Sequence, residues 1–205
     1  MLCKRCSISV QNEFKPCFRE GDKSDILFIG EAPGHTENKT KVPFTGKSGT
    51  YLRKFVKMYA LNNYSAFTNV VKCQPPRNRD PFDEEIANCS SYLVEDIKVV
   101  NPKLIICVGR IATQVFTDRY QFSLTKYLNK PFKLGNAIVI AIYHPSYILR
   151  ENKGEEYLKS FNMISEFYNA INPYYSIKKF KLKVKNKDEG LSSGIDVSPY
   201  VRGSA

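Results

Sequence analysis

Short strand-like runs alternate along this chain with longer segments whose apolar positions recur at helical spacing. The runs are "DILFIG" (25–30), "AFTNVVK" (66–72), "KLIICVG" (103–109) and "NAIVIAIYHPS" (136–146). The continuous apolarity of the first predicts a buried strand, and the others read as strands beside it. Between them, "SGTYLRKFVKMYAL" (48–61) places Leu52, Phe55, Val56 and Tyr59 on one helical face. "DPFDEEIANCSSYLVEDIKVV" (80–100) opens with Asp, Pro and first-turn acids, then spaces Ile86, Cys89 and Leu93 as a helix does. "RIATQVFTDRY" (110–120) reads as a third helix, and "GEEYLKSFNMISEFYNAI" (154–171) as a last one, with Tyr157, Phe161, Ile164 and Tyr168 in register. This alternation predicts an α/β fold, a parallel sheet with helices on both faces. Such sheets bind ligands beyond the carboxyl ends of their strands. Gly30–Gly34, Asn69 and His144–Ser146 all follow predicted strands, so they are expected to meet at one edge.

Charge adds a partner to this picture. Lys and Arg number 31 against 20 acids, a net charge of +11 in 205 residues. A solvated basic surface accounts for that, and so does a polyanionic partner, most often nucleic acid. The chain has no apolar run of membrane-spanning length, and "MLCKRCSISV" lacks a signal-peptide core. An intracellular, cytoplasmic protein that does not engage membranes is expected, working in a bacterium or in the host cell of a virus.

Cysteine usage then points to a metal. Six cysteines in a reducing compartment do not read as disulfides. Cys3 and Cys6 form a C-x2-C pair, while Cys73 follows a strand and Cys89 lies on the next helix. Four thiolates suit either zinc or a four-iron cluster, and reduced surface thiols are the competing account of the C-x2-C pair. Cys107, inside an apolar strand, reads as a small buried hydrophobe. Cys17 reads as a free surface thiol or a substitute ligand.

The stretch after the first strand, "GEAPGHTENKTKVPFTGKSG" (30–49), combines acids, a tight glycine-rich backbone and one isolated aromatic ring taken as exposed, Phe44. Together with "TNVVKCQPPRNRDPFDEEIANC" and "HPSYILR", it resembles the family 4 uracil-DNA glycosylases, the iron–sulfur branch of that superfamily. The resemblance runs from Cys3 to about Ala170, with the motifs in the family's order. It implies a four-stranded parallel sheet in a three-layer α/β/α sandwich, and a [4Fe–4S] cluster on Cys3, Cys6, Cys73 and Cys89. It implies a monofunctional enzyme of base excision repair, acting as a monomer on single- or double-stranded uracil-containing DNA.

Chemistry and resemblance together divide the labour. The flipped base must be stacked on, read along its Watson–Crick edge, and stabilised as an anion when it leaves. By resemblance Phe44 stacks on uracil, where the residues alone leave it equally an anchor of its loop against the core. Asn69 offers the donor and acceptor that the O4 and N3–H edge needs; by residue type alone it is also a common strand-end turn residue. His144 can donate to O2 as charge builds there, and its competing role is a satisfied structural side chain. Gly30, Ala32, Pro33 and Gly34 line the pocket around base and water. Glu37 is a pocket carboxylate that orders water or crowds the C5 edge, and Glu31 fixes the loop. The family's aspartate after the acid is Asn38 here, which opens the role of Glu37; His35 reads as surface loop. Ser146 is assigned to a phosphate, Leu149 to the wedge that fills the vacated space, and Arg150, Arg77 and Arg79 to backbone contacts.

Residues 1–172 are read as the glycosylase domain and 173–205 as a Lys-rich extension. In "IKKFKLKVKNKDEG", Phe180, Leu182 and Val184 alternate with Lys179, Lys181, Lys183 and Lys185, an edge strand or a basic arm, followed by a flexible tail. Two rival classes are a catalytically silent glycosylase-fold module serving replication, as the N-terminal part of a longer protein, and a covalent uracil-binding relative. The intact Phe44, Asn69 and His144 argue against the first. The second carries a histidine-containing insertion that "KFVKMYALNNYSAFTN" lacks.

Overall fold

In the computed structural model, which describes residues 3–11, 16–117 and 122–175, the four apolar runs form adjacent strands. They are β1 (Ile26–Gly30), β2 (Ser65–Asn69), β3 (Leu104–Val108) and, numbered after a short edge strand, β5 (Ala137–Ile142). The sheet order is β2-β1-β3-β5-β4. The neighbours among β2, β1, β3 and β5 are parallel, with Ile26 opposite Ser65 and Leu104, and Leu104 opposite Ile138. The expected four-stranded sheet therefore has a fifth member. β4 (Phe132–Leu134) lies antiparallel on β5 and turns back through Gly135, whose φ of 57° is in the left-handed region. Three half-exposed residues are too short a pattern to have signalled a strand.

Side chains of each strand alternate between two cores, as the two-residue period requires. Ile26 and Phe28 enter an aromatic core with Leu52, Phe55, Tyr59, Tyr157, Phe161 and Tyr168. Leu27 and Ile29 enter an aliphatic core with Ile86, Leu93, Ile105 and Ile111. The aromatic face is covered by α3 (Lys47–Met58) and α8 (Gly154–Ile171), the aliphatic one by α4 (Asp83–Val100) and α5 (Arg110–Gln114). The result is the three-layer α/β/α arrangement. Phe161 is fully buried, with ring contacts to Phe28, Phe55, Tyr59 and Tyr157. Its truncation to Ala should cost about 3–5 kcal/mol.

Several boundaries differ from the sequence reading. The third helix keeps only Arg110–Gln114. Two short helices, α2 (His35–Thr40) and α7 (Pro145–Arg150), occupy segments read as loop and turn; α1 (Ser7–Gln11) and α6 (Leu124–Tyr127) are added. His35 is exposed, as expected, but opens α2. Cys17 is no surface thiol: it is 1% exposed, and burial pushes its pKa up to about 11. Packing continues through Tyr175, whose hydroxyl donates to the Tyr59 carbonyl at 2.6 Å. The lysine stripe 179–185 lies outside the described residues. Among those residues no helix is long and apolar enough to cross a membrane.

Candidate active site

The carboxyl edge of the parallel strands brings the separate motifs together. Gly30 ends β1 directly opposite Asn69, which ends β2. A Cβ on Gly30 would collide with the Asn69 side-chain oxygen and stand 2.7 Å from Phe44 Cζ. Glycine is thus what lets the amide and the ring approach each other. Phe44 is not the exposed ring expected. It is 6% exposed and packs on Phe67, with centroids 5.8 Å apart. Its backbone has φ 56°, held by Gly49, where any side chain would collide with the Phe44 main chain. Arg53, which the pattern of α3 did not single out, donates from Nε to the Phe44 carbonyl at 3.0 Å and from Nη2 to the Pro43 carbonyl at 2.8 Å. It also stacks on Phe67 and ion-pairs with Glu20. The stacking candidate is therefore a core anchor, placed against Gly30 at the sheet edge.

Glu37, on α2, is buried, and its Oε1 accepts the Gly46 N–H at 2.8 Å. That bond satisfies a donor at the start of α3 and sets the charge where the helix dipole favours it. Gly34 and Gly46 leave the space: a Cβ at either would stand 2.9 Å or 3.1 Å from the carboxylate.

His144 follows β5 as the N-cap of α7, with Pro145 in the first turn. Its Nδ1 accepts the Ser146 main-chain N–H at 3.2 Å and lies 2.6 Å from Ser146 Oγ. A main-chain N–H can only donate, so Nδ1 carries no proton and the neutral ring bears it on Nε2. Burial holds the pKa down to about 4, with the Glu37 charge opposing weakly. The ring is thus neutral at pH 7, with an N–H to give. Gly109, at φ 93°, keeps the floor beneath it open, since a Cβ there would sit 3.0 Å from His144 Cβ. Ser146, read as a phosphate contact, is engaged with the imidazole.

The remaining predicted residues divide between two sides. Pro33 is buried, and Ala32 packs on the aliphatic core. Glu31 belongs with Asp80 and Arg110: burial, then Asp80, pushes its pKa up to about 7, and Arg110 opposes. Arg79 is not free for a phosphate. Its guanidinium pairs with both carboxylate oxygens of Glu85 at 2.7 and 2.8 Å and stacks 3.8 Å over Phe82. Glu85 also accepts from the Phe82 N–H and the Ser7 hydroxyl, which holds its pKa down at about 2, Arg79 contributing most. Arg77 is exposed, at φ 56°. Leu149 is 39% exposed beyond the edge, and Arg150 is exposed beside Glu151.

Cys3, Cys6, Cys73 and Cys89 line one cavity between α1 and α4, and all are free thiols. Among the described residues no three His, Cys, Asp or Glu side chains are grouped to hold a single metal ion. Burial, then repulsion from the other three sulfurs, pushes Cys73 up to about 12. The Lys72 main-chain N–H donates to Cys89 Sγ at 3.3 Å. A four-sulfur set in one cavity, with burial raising the Cys73 and Cys89 thiols, fits a multinuclear cation core, which would favour their thiolates. Lys72 itself went unnoticed in the sequence. A lysine ending a strand pattern carries no sign that it will be buried.

An aromatic ring, an amide and a neutral imidazole N–H at one sheet edge are the chemical parts that can stack on a planar heterocycle, read its edge and take up negative charge on it. The profile of the "Uracil DNA glycosylase superfamily" matches residues 18–172. A Type-4 uracil-DNA glycosylase of Archaeoglobus fulgidus is 34% identical over 183 residues, 84% of this chain and 92% of the relative. One of Thermotoga maritima is 36% identical over 156 residues, covering 75% and 81%. A DNA polymerase of Bacillus phage SP01 is 24% identical over 173 residues, 82% of this chain but 18% of the polymerase. The chain belongs to the uracil-DNA glycosylase superfamily and, within it, to the Type-4 uracil-DNA glycosylases.

Proposed function

We propose that this chain hydrolyses the N-glycosidic bond of deoxyuridine in DNA, releasing uracil and leaving an abasic site, and that the carboxyl-edge pocket is where it does so. The observation that carries this reading is the meeting of Phe44 and Asn69 over Gly30, with the proton of neutral His144 on Nε2. Uracil flipped from the stack lies against the Phe44 ring, and the Asn69 amide pairs with O4 and N3–H. As the bond from C1′ to N1 lengthens, the sugar becomes cationic and the base anionic. His144 Nε2–H strengthens its hydrogen bond to O2 as that charge develops. A neutral donor suits this task, because it need not give up its proton to stabilise the anion. Water adds to C1′, and Glu37, whose Oε1 is taken by Gly46, receives the water's proton at Oε2. Uracil leaves as the anion and is protonated by solvent. Glu31, on the Asp80 and Arg110 side, holds the loop.

Cys3, Cys6, Cys73 and Cys89 would hold a [4Fe–4S] cluster, which supplies cross-linking between α1, the Cys73 loop and α4 and no electron for the hydrolysis. Leu149 enters the duplex where the base has left, with Arg150 and Arg77 on phosphates. Ser146 steadies His144. The substrate is single- or double-stranded DNA, the enzyme acts as a monomer, and it works inside the cell, where DNA is.

The test is release of free uracil from uracil-containing oligonucleotides by cluster-loaded protein, with the backbone uncut. A second reading, a silent module serving replication, draws on the phage polymerase, whose matching part is a minor portion of its length. Tight DNA binding without uracil release would favour that reading and sink ours.

A further inference from the structure

Phe67 sits on the outer edge of β2, where its N–H and carbonyl both pair with Glu20. Two residues on, the Asn69 carbonyl points to the same side by the strand period, beyond the reach of that bridge. Lys72 Nζ fills the gap. It donates to the Asn69 carbonyl at 2.6 Å, to Thr68 Oγ1 at 2.7 Å and to Asp96 Oδ2 at 2.6 Å. The ammonium is 1% exposed and all three of its protons are used. Asp96 is fixed in turn by Thr68 Oγ1 at 2.6 Å and Arg19 at 3.3 Å. A buried ion pair of this kind is costly to assemble and more costly to break on one side, so it is weak evidence for stability alone.

We infer that Lys72, clamped by Asp96, is a positioning residue that holds the end of β2 so that the Asn69 amide stands at its reading geometry over Gly30. The inference rests on the assignment of base reading to Asn69. The peptide that follows Asn69 is held on its inner side by the Val70 N–H, which donates to the Gly30 carbonyl at 2.9 Å, and among the described residues no strand grips its outer side. Without the outer hold that peptide could pivot about the Gly30 bond and move the amide with it. Among the described residues the main-chain donors bonded along this edge are spent elsewhere: the Glu20 N–H on the Phe67 carbonyl at 2.9 Å, and the Cys17 N–H on the Lys72 carbonyl at 2.7 Å.

The test is a double-mutant cycle on single-turnover uracil release, with Lys72→Met and Asn69→Ala in cluster-loaded protein, alongside bound iron and thermal midpoint. Lys72→Met is expected to slow release by about 10- to 100-fold with Asn69 present, as small misplacements of a reacting group do, and to leave iron content unchanged. In the Asn69→Ala background the same change should cost less than about twofold, since there is no amide left to misplace. Equal losses in both backgrounds, or a loss that follows iron or thermal midpoint, would overturn the inference. If Lys72→Met does not fold, Lys72→Met with Asp96→Leu removes the buried acid that has lost its lysine and carries the same expectation. A silent Asn69→Ala would sink the base-reading assignment and Lys72 with it. A damaging Asn69→Ala with a silent Lys72→Met would sink this inference alone.

Discussion

The pocket at the sheet edge and the cysteine cavity are built in opposite ways. The pocket is assembled from strand ends that the parallel ladder already holds side by side, with Gly30 directly opposite Asn69. Its precision comes from close approach: glycines at 30, 34, 46, 49 and 109 each leave space that a neighbouring side chain or main chain fills. The cavity instead joins an N-terminal segment, a loop and a helix that share no ladder. The segment holding Cys3 and Cys6 is tied to α4 by Arg5 to Ser91 at 2.6 Å and Ser7 to Glu85 at 2.8 Å. A site made by the sheet should survive as long as the fold does, whereas one made by a tethered segment should depend on what it binds.

The sharpest way to break that contrast is inside the pocket. His144→Ala and Asn69→Ala should each slow single-turnover release by on the order of 10²-fold or more, as loss of one oxyanion-type donor does, with DNA affinity and thermal midpoint nearly unchanged. A comparable fall in thermal midpoint would show that the pocket is no more separable from the fold than the cavity is. On the other side, Cys73→Ala should lose bound iron and lower the midpoint together, measured by absorbance and calorimetry on one sample. Retained stability without iron would mean that the N-terminal segment docks unaided.

Phe44 straddles the two cases, since it is a core anchor and, in the proposed reaction, the stacking wall. Phe44→Ala should weaken capture of the flipped base by about 1–3 kcal/mol, the scale of base–aromatic stacking. It should also cost about 3 kcal/mol or more of fold stability through the cavity it leaves beside Phe67. Phe44→Leu should restore most of the stability and little of the capture.

A smaller effect separates Glu31 from His144 by pH. Glu31, raised to about 7, binds a proton in the folded state between pH 4.5 and 7 that the unfolded chain has released. Folding is therefore favoured as pH falls through that window and penalised above it. Glu31→Gln should raise the thermal midpoint at pH 8 and do little at pH 4.5. His144 works in the opposite sense. Held at about 4, it lacks below pH 6.5 a proton that the unfolded chain takes up, so acid destabilises the fold between pH 6.5 and 4. The acid limb of activity due to His144 should fall near pH 4 rather than 6.5. Smallest of all, Arg77→Ala should lower DNA affinity and reduce the salt slope by about one, uniformly across sequences. Arg79→Ala should instead reduce stability, because it strands the buried Glu85.

Much of this was legible along the chain. Three of the four parallel strands, β1, β3 and β5, follow from short continuous apolar runs, because a strand covered on both faces has no polar side to show; β2 was legible from its place in the alternation although it carries Thr68 and Asn69. The edge at which Gly30, Asn69 and His144 meet follows from the same alternation, since parallel strands all end on one side. Tertiary structure alone decided where side chains close to that edge would turn. Arg79 and Arg77, two residues apart, differ because Glu85 on α4 returns to take one and not the other. Phe44 looked exposed because it stands isolated, without a pattern of apolar partners around it, yet the approach of Gly49 folds it inward onto Phe67. Lys72 is polar by type and buried by circumstance: the acid that admits it, Asp96, lies 24 residues away. Local periodicity reports which face of an element meets the core. The partner of a buried charge is a property of the packed layers, and no local pattern carries it.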